Sequence, residues 1–401
     1  MRFLFLTPGL HPDHHGSIPR YATEAAELLA SRGHEVHVLT LDPDSALTDI
    51  QLRNGTRIYR IRTHRGAPLS NWGEITRDLR YWVKKLLRET NLETLLATHH
   101  AYFERTLRGY RYAVTAHRPW HQECEITSSG HSDTIFGRIR FRWLSRRLKA
   151  IERHLFENAN RIFVSSPSAQ ESIRTTHPSL GTRVQVVVPG VNPIRFHDPG
   201  DRSGIRAQLG VQSSDFVFLV VSRLESQCGL DELLEAFGST LRAQTNARLW
   251  IAGRGSLGPK LERRIAQLGI GGQTRRLGVL SDAELIQHYS AANAVLIPNK
   301  VIPSGSMVAA EALACGTPIL ACRTTISGQW IPPQLPQCVA DPGPEAFSLR
   351  MQQWASGNPP PPLVLHPSPN SRGTEDWSAV ADAFEQAWED FSTPPNLPVR
   401  K

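Results

Sequence analysis

Three kinds of residue in this chain stand where chemistry would be done. The first are main-chain donors: Gly305, Ser306 and Met307 open the apolar run SMVAAEALA, with Ser306 where a helix N-cap would sit. Their amides have no partner within a helix and lie at its positive end, a place suited to a phosphate. The second is Glu311, the one charge on that helix. A carboxylate on a surface made for burial is costly unless hydroxyls or cations bond it. The third are polar groups that close apolar strand runs: Arg223 after FVFLVV and His117 after YAVTA. The carboxyl ends of strands are where α/β sheets hold ligands. A histidine there suits a satisfied structural role as well as a catalytic one. Gly253-Arg254-Gly255, after the run RLWIA, is on its own a weak signal.

The elements that must position these groups alternate along the chain. MRFLFLT reads as a buried strand, and a helix begins near Ile18, with Pro19 in its first turn and Tyr21, Ala22, Ala25, Leu28 and Leu29 at core-facing spacing. It ends near Gly33 and delivers the strand EVHVLT, giving the strand-helix-strand unit of a parallel sheet. The loop between them, PGLHPDHHGS, is not the G-x-G-x-x-G of a nicotinamide-binding protein, which counts against a dehydrogenase. Further strands are expected at 216–221, 248–252, 295–297 and 318–321. Helices are expected at 231–241, 257–268, from Ser281 through Tyr289, and from about Trp377 to Phe391. Ser281-Asp282-Ala283-Glu284 reads as a capping box. His197 to Gly204 is dense in turn residues and reads as an interdomain linker.

The run S-M-V-A-A-E-A-L-A-C-G-T-P-I resembles the donor motif of the retaining glycosyltransferases of sequence family four, in which a Glu, seven residues and a second Glu precede A-x-A-x-G-x-P. The resemblance implies an α/β protein of GT-B architecture, two Rossmann-like domains with parallel sheets facing across a cleft. The acceptor-side domain would span 1–196 with a returning helix at about 376–393, and the nucleotide-sugar domain 205–370. In that family the second Glu, here Glu311, holds the donor's ribose. The first, which holds sugar hydroxyls, falls on Pro303. Ile151 to Asn160 resembles the helix that family members place before a strand, here Arg161 to Ser166. VQVVVPGVN followed by Phe196 resembles the end of the first domain, and Arg276 to Leu280 resembles the strand and loop that face the base. HRPWHQE, His117 to Glu123, resembles a family motif whose His bonds the transferred sugar. Gly16-Ser17 stands for the Gly-Gly that approaches the donor diphosphate and the acceptor, and Gly253-x-Gly255 for the G-x-G under the nucleotide. Arg223 matches the Arg that neutralises the leaving diphosphate. Its partner Lys falls on Cys228, before Gly229, and Lys300 is one candidate to supply the missing charge.

The implied function is transfer of a sugar from a nucleotide-sugar donor to an acceptor hydroxyl with retention, in polysaccharide, glycolipid or natural-product glycoside synthesis. The implied catalytic residues are His117 and Arg223. Those for donor binding are Gly16, Ser17, Gly253, Gly255, Gly305, Ser306, Met307 and Glu311. No metal and no cofactor beyond the nucleotide sugar is implied. A catalytically impaired relative that binds or scaffolds is the alternative, since Pro303 and Cys228 fall in the donor pocket. Nucleotide-sugar epimerases share the architecture, but the extra carboxylates of such acid-base chemistry have no recognisable positions here.

Composition fits these expectations. A chain of 401 residues, 40% hydrophobic, is long enough for two full cores. No apolar stretch approaches the roughly 20 residues of a membrane span, and RFLFL is too short for a signal sequence. The five cysteines have no CxxC spacing, which argues for a reduced cytoplasm. His11, His14 and His15 lack an accompanying carboxylate cluster, so solvation in a loop is expected rather than a metal site. The 45 Lys and Arg exceed the 37 Asp and Glu, and the excess crowds Arg138 to Arg153 and Arg80 to Arg88, each with aromatics interleaved. A solvated helix face and peripheral contact with an anionic inner-membrane surface are both open readings; no nucleic-acid motif accompanies the charge. The acceptor is expected to be a glycan, a lipid-linked sugar or a small molecule.

Overall fold

Phe3, Leu4, Phe5 and Leu6 are all buried in β1 (Arg2–Thr7), which requires cover on both faces of its sheet. The computed structural model describes residues 1–42, 50–62, 72–90, 94–98, 100–117, 135–298, 306–325, 327–328, 331, 333–357 and 377–392, apart from the side chains of 72, 135–141, 227, 306 and 390–392. It falls into two units, Met1–Pro189 with Trp377–Lys401, and Gly190–Asp376.

In the first unit β1 is followed by α1 (Ser17–Ser31), β2 (Glu35–Asp42), β3 (Gln51–Arg53), β4 (Thr56–Arg62), α2 (Trp72–Thr90), β5 (Thr94–Thr98), α3 (Ala101–Thr106), β6 (Tyr112–Ala116), α4 (Ile135–Asn158), β7 (Arg161–Val164), α5 (Pro167–Thr176) and β8 (Val184–Val186). The sheet runs β3-β4-β2-β1-β5-β6-β7-β8, and every pair is parallel except the β3–β4 hairpin. Strand order therefore reverses between β1 and β5. The hairpin turns on Asn54 and Gly55, both at positive φ. On one face Leu4, Leu6, Leu39 and Leu41 pack with Leu79 and Val83 of α2 and with Leu155 and Phe156 of α4. The helix expected from Ile151 begins earlier: α4 starts at Ile135 and takes in the basic run, for which a helix face was one of the open readings. Leu144, Leu148, Ile151 and Leu155 recur at helical spacing through it.

The second unit contains α6 (Arg202–Gln208), β9 (Phe216–Val221), α7 (Leu230–Ala243), β10 (Ala247–Ala252), α8 (Gly258–Leu268), β11 (Thr274–Gly278), α9 (Asp282–Ala291), β12 (Ala294–Ile297), α10 (Ser306–Ala314), β13 (Ile319–Cys322), β14 (Val339–Ala340) and α11 (Pro344–Ala355). Its sheet is parallel, in the order β11-β10-β9-β12-β13-β14, with the reversal between β9 and β12. The capping box is formed: Ser281 Oγ accepts from Glu284 N, and Glu284 accepts from Ser281 N at 2.8 Å. The residues expected to end the first domain and to link the two belong here. Val191 and Phe196 join the second core. Arg202 and Arg206 of α6 donate to the carbonyls of Ala292 and Ala291, both at 2.7 Å.

The last helix, α12 (Ser378–Ser392), belongs to the first unit. Phe384 meets Phe5 and Phe163 on the sheet face opposite α2. Arg32, just past α1, donates to Asp382 at 2.6 Å and to Glu385, and His34 bonds Glu385 at 2.8 Å.

Candidate functional site

In the second unit, the reversal of strand order between β9 and β12 opens the carboxyl edge of the sheet to a ligand. Three adjacent strands bring expected residues there: Gly253 and Gly255 follow β10, Arg223 follows β9, and α10 follows β12. Arg223 is exposed, and its guanidinium has no ion-pair partner among the described residues. Past Arg223 the chain makes a short turn, Ser226–Cys228, and enters α7 at Gly229. Gly229 has φ 67, and a Cβ there would lie 2.1 Å from the Pro298 carbonyl oxygen, so only glycine lets this loop close on the end of β12. Cys228 is 5% exposed and packs in the core, so no cation stands at that position.

Helix α10 begins at Ser306, one residue earlier than an N-cap at Ser306 requires, so the serine is the first helical residue. Gly305, Pro303, Lys300 and the side chain of Ser306 lie outside the described residues. Met307 is buried, and Glu311 is 6% exposed. The costly lone carboxylate has found a hydroxyl: Tyr289 of α9, itself fully buried, donates to Glu311 Oε2 at 2.9 Å. Thr317 in turn donates to the Tyr289 carbonyl at 2.6 Å, and the Phe196 ring lies 6.4 Å from that of Tyr289. Burial, then the negative charges of Glu311 and Asp198, push the nearby Cys315 thiol up to about 12. The motif thus holds its carboxylate by a contact that no local spacing announced, since Tyr289 lies 22 residues away.

In the first unit, Gly16 caps α1 at φ 125 and Ser17 is its first residue, both exposed at the carboxyl edge of β1. His117 follows β6, two strands away from β1, and is half-buried. Tyr21 of α1 joins these positions. Its ring stands edge-on to His117 at 4.5 Å, its hydroxyl lies 3.3 Å from Thr115 Oγ1, and Trp377 abuts it at 5.3 Å. Burial raises the Tyr21 phenol well above its ordinary value, with the Thr115 contact a smaller opposing effect. Tyr21 was readable as a core residue, but its place beside His117 depends on how α1 crosses the sheet. Arg118 to Glu123 lie outside the described residues. The expectation that His11 is a solvated loop residue is corrected: it is 6% exposed, and its main chain bonds Thr23 Oγ1 in both directions. Among the described residues, no group of three His, Cys, Asp or Glu is placed to hold a metal ion, and no helix is long and apolar enough to cross a membrane.

Residues 18–195 match the family model "Glycosyltransferase Family 4", and residues 201–365 match "Glycosyl transferases group 1". A glycosyltransferase of Methanocaldococcus jannaschii, MJ1607, is 26% identical over 337 residues, 81% of this chain and 83% of that one. The D-inositol 3-phosphate glycosyltransferase of Saccharomonospora viridis is 28% identical over 77% of this chain and 73% of its own. Among solved structures, sucrose-phosphate synthase from Thermosynechococcus elongatus shares the fold with a TM-score of 0.72, at 16% identity over 98% of this chain and 94% of that one.

Proposed function

This chain belongs to the family-four glycosyltransferases of GT-B fold, and from that membership we propose how it transfers a sugar from a nucleotide-sugar donor. The nucleoside diphosphate is held at the carboxyl edge of the second sheet. Arg223 and the amides that open α10, at Gly305, Ser306 and Met307, face the diphosphate. Glu311, oriented by Tyr289, receives the ribose hydroxyls, and Gly253 and Gly255 lie under the nucleotide. Gly16, Ser17 and His117 serve the transferred sugar and the acceptor. The bond from the anomeric carbon to the diphosphate oxygen breaks, the acceptor oxygen bonds that carbon on the same face, and its proton passes to the departing oxygen. Configuration is retained with no protein nucleophile, metal or cofactor, so the protein acts by orientation and charge stabilisation.

The observation that supports this reading is an exposed guanidinium with no ion-pair partner among the described residues, one strand away from the helix that carries the buried Glu311. The reading as a non-catalytic relative is not favoured, because both family models and the relatives named are of glycosyltransferases. The test is incubation with UDP-glucose, GDP-mannose and ADP-glucose, following thermal shift and release of nucleoside diphosphate. Acceptors for the panel are a glycan, a lipid-linked sugar and D-inositol 3-phosphate, the last on the strength of the Saccharomonospora relative. A shift with acceptor-dependent release is expected. Binding without turnover would favour the non-catalytic relative, and neither would sink the proposal.

The basic helices add a proposed partner. Arg142, Arg146, Arg147, Lys149 and Arg153 of α4 are exposed beside Trp143, itself 59% exposed with the Arg147 guanidinium 5.3 Å from its ring centre. This combination of charge and amphipathic ring suits an anionic lipid surface. It supports a cytoplasmic protein resting peripherally on the inner face of the membrane; Arg138 and Arg140 lie outside the described side chains.

A further inference from the structure

If the donor is held as proposed, the position where the family places its second phosphate-directed cation is filled by Cys228, which is buried and uncharged. The structure offers another cation close by. Arg254 stands two residues past the end of β10, between Gly253 and Gly255. The pairing of β9 with β10 runs on past both strands: Ser222 N donates to the Ala252 carbonyl and Leu224 N to the Arg254 carbonyl, each at 3.1 Å. Two glycines make this possible. A Cβ on Gly253, at φ 126, would lie 1.9 Å from the Ser222 oxygen, and one on Gly255 would lie 2.4 Å from the Leu224 oxygen. The main chain of Arg254 is therefore locked beside the Arg223–Leu224 segment.

Both arginines are exposed, and neither has an ion-pair partner among the described residues. The carboxylate within the β9–α7 loop, Glu225, is otherwise engaged: it accepts from Ser256 N at 3.2 Å and from Ser256 Oγ at 2.7 Å. Two like charges on abutting backbone segments, with the local carboxylate turned to a serine, are best reconciled by an anion shared between them. We infer that Arg254 is the second cation on the donor's diphosphate, supplying from the β10 loop the charge that Cys228 does not. It is a binding residue for the leaving group, and a guanidinium suits that place because it can grip phosphate oxygens with two parallel N–H bonds.

The test compares wild type with Arg254→Ala and Arg254→Lys by calorimetry, using the nucleoside, monophosphate and diphosphate of uridine, guanosine and adenosine. For whichever base wild type binds, Arg254→Ala should weaken the diphosphate by about tenfold or more, the monophosphate less, and the bare nucleoside by no more than about twofold. Arg254→Lys should recover part of the loss. Equal weakening of all three ligands, or no weakening, overturns the assignment while leaving the donor reading intact. Should wild type bind no nucleoside diphosphate, the donor reading itself falls and takes this inference with it. Thermal unfolding without ligand serves as the folding check, and an exposed residue should leave that midpoint in place.

Discussion

Arg223 holds a full charge at a strand end where no described carboxylate balances it, so its contribution should emerge when a diphosphate departs. Arg223→Ala is expected to lower turnover about 10²–10³-fold, read as nucleoside diphosphate release. Arg223→Lys should recover part, since an ammonium keeps the charge but loses the two-pronged geometry. Unchanged donor affinity and turnover in Arg223→Ala would remove the phosphate role. The Glu311–Tyr289 contact carries a different prediction. Tyr289→Phe strips a buried carboxylate of a donor, which costs about 1.5–3 kcal/mol and should lower the unfolding midpoint. Because Glu311 is the proposed ribose ligand, nucleoside affinity should fall too, whereas a purely structural contact would leave it unaltered. The sequence marked Glu311 as an anomalous charge because every neighbour on its helix is apolar or small. It could not mark Tyr289, which reads as an ordinary apolar position of α9.

At the level of single elements, local chemistry foretold what local chemistry determines. The capping box at Ser281 and Glu284 formed because both partners sit within one turn. The Asn54-Gly55 turn carried an equally local hairpin signal, and β3–β4 could have been read from it. Reading missed where α4 begins, since its first turns are written in charge, and it failed where a loop folded inward, as at His11, whose main chain bonds Thr23 of α1. Two other histidines make an element-level prediction. In β2, His37 bonds Tyr59 at 3.0 Å and Glu35 at 3.1 Å. In α9, His288 bonds the Glu284 carbonyl at 2.7 Å beneath Trp250. Burial, against the raising effect of Glu35 and Glu284, holds both imidazoles below the ordinary value of 6.5. An imidazole whose folded value is depressed contributes its stability in full above the unfolded value, and that contribution is lost as pH falls through the folded value. The unfolding midpoint should therefore hold steady above about pH 6.5 and decline below it. A His37→Gln, His288→Gln double variant should decline less steeply between pH 6.5 and 5; equal slopes would refute the assignment.

Each unit of the molecule has its own sheet, parallel but for the β3–β4 hairpin, and its own reversal of strand order. The alternation of apolar runs and helical patterns conveyed the parallel strands, because buried ones are written as continuous apolar stretches, but not the order in which they pair. Less legible was where one unit gives way to the other, since 190–196 resembles the end of the first domain and His197 to Gly204 reads as linker, yet Val191 and Phe196 pack in the second core and Arg202 bonds the Ala292 carbonyl. A property of the whole particle can also be tested. Vesicles with a third of their lipid as phosphatidylserine or phosphatidylglycerol should sediment the protein at low salt, and neutral vesicles should not. Reversing Arg146, Arg147 and Lys149 to glutamate should abolish sedimentation; retention by the triple variant would argue for a merely solvated face. One consequence of α12 remains. Phe384 closes over Phe5 and Phe163, so the rings of β1 and β7 wait for a partner that lies 379 and 221 residues further along the chain. The first unit is thus closed only after the second has been made, and a chain cut between α11 and α12 should carry a finished second unit joined to an unsealed, sticky first one.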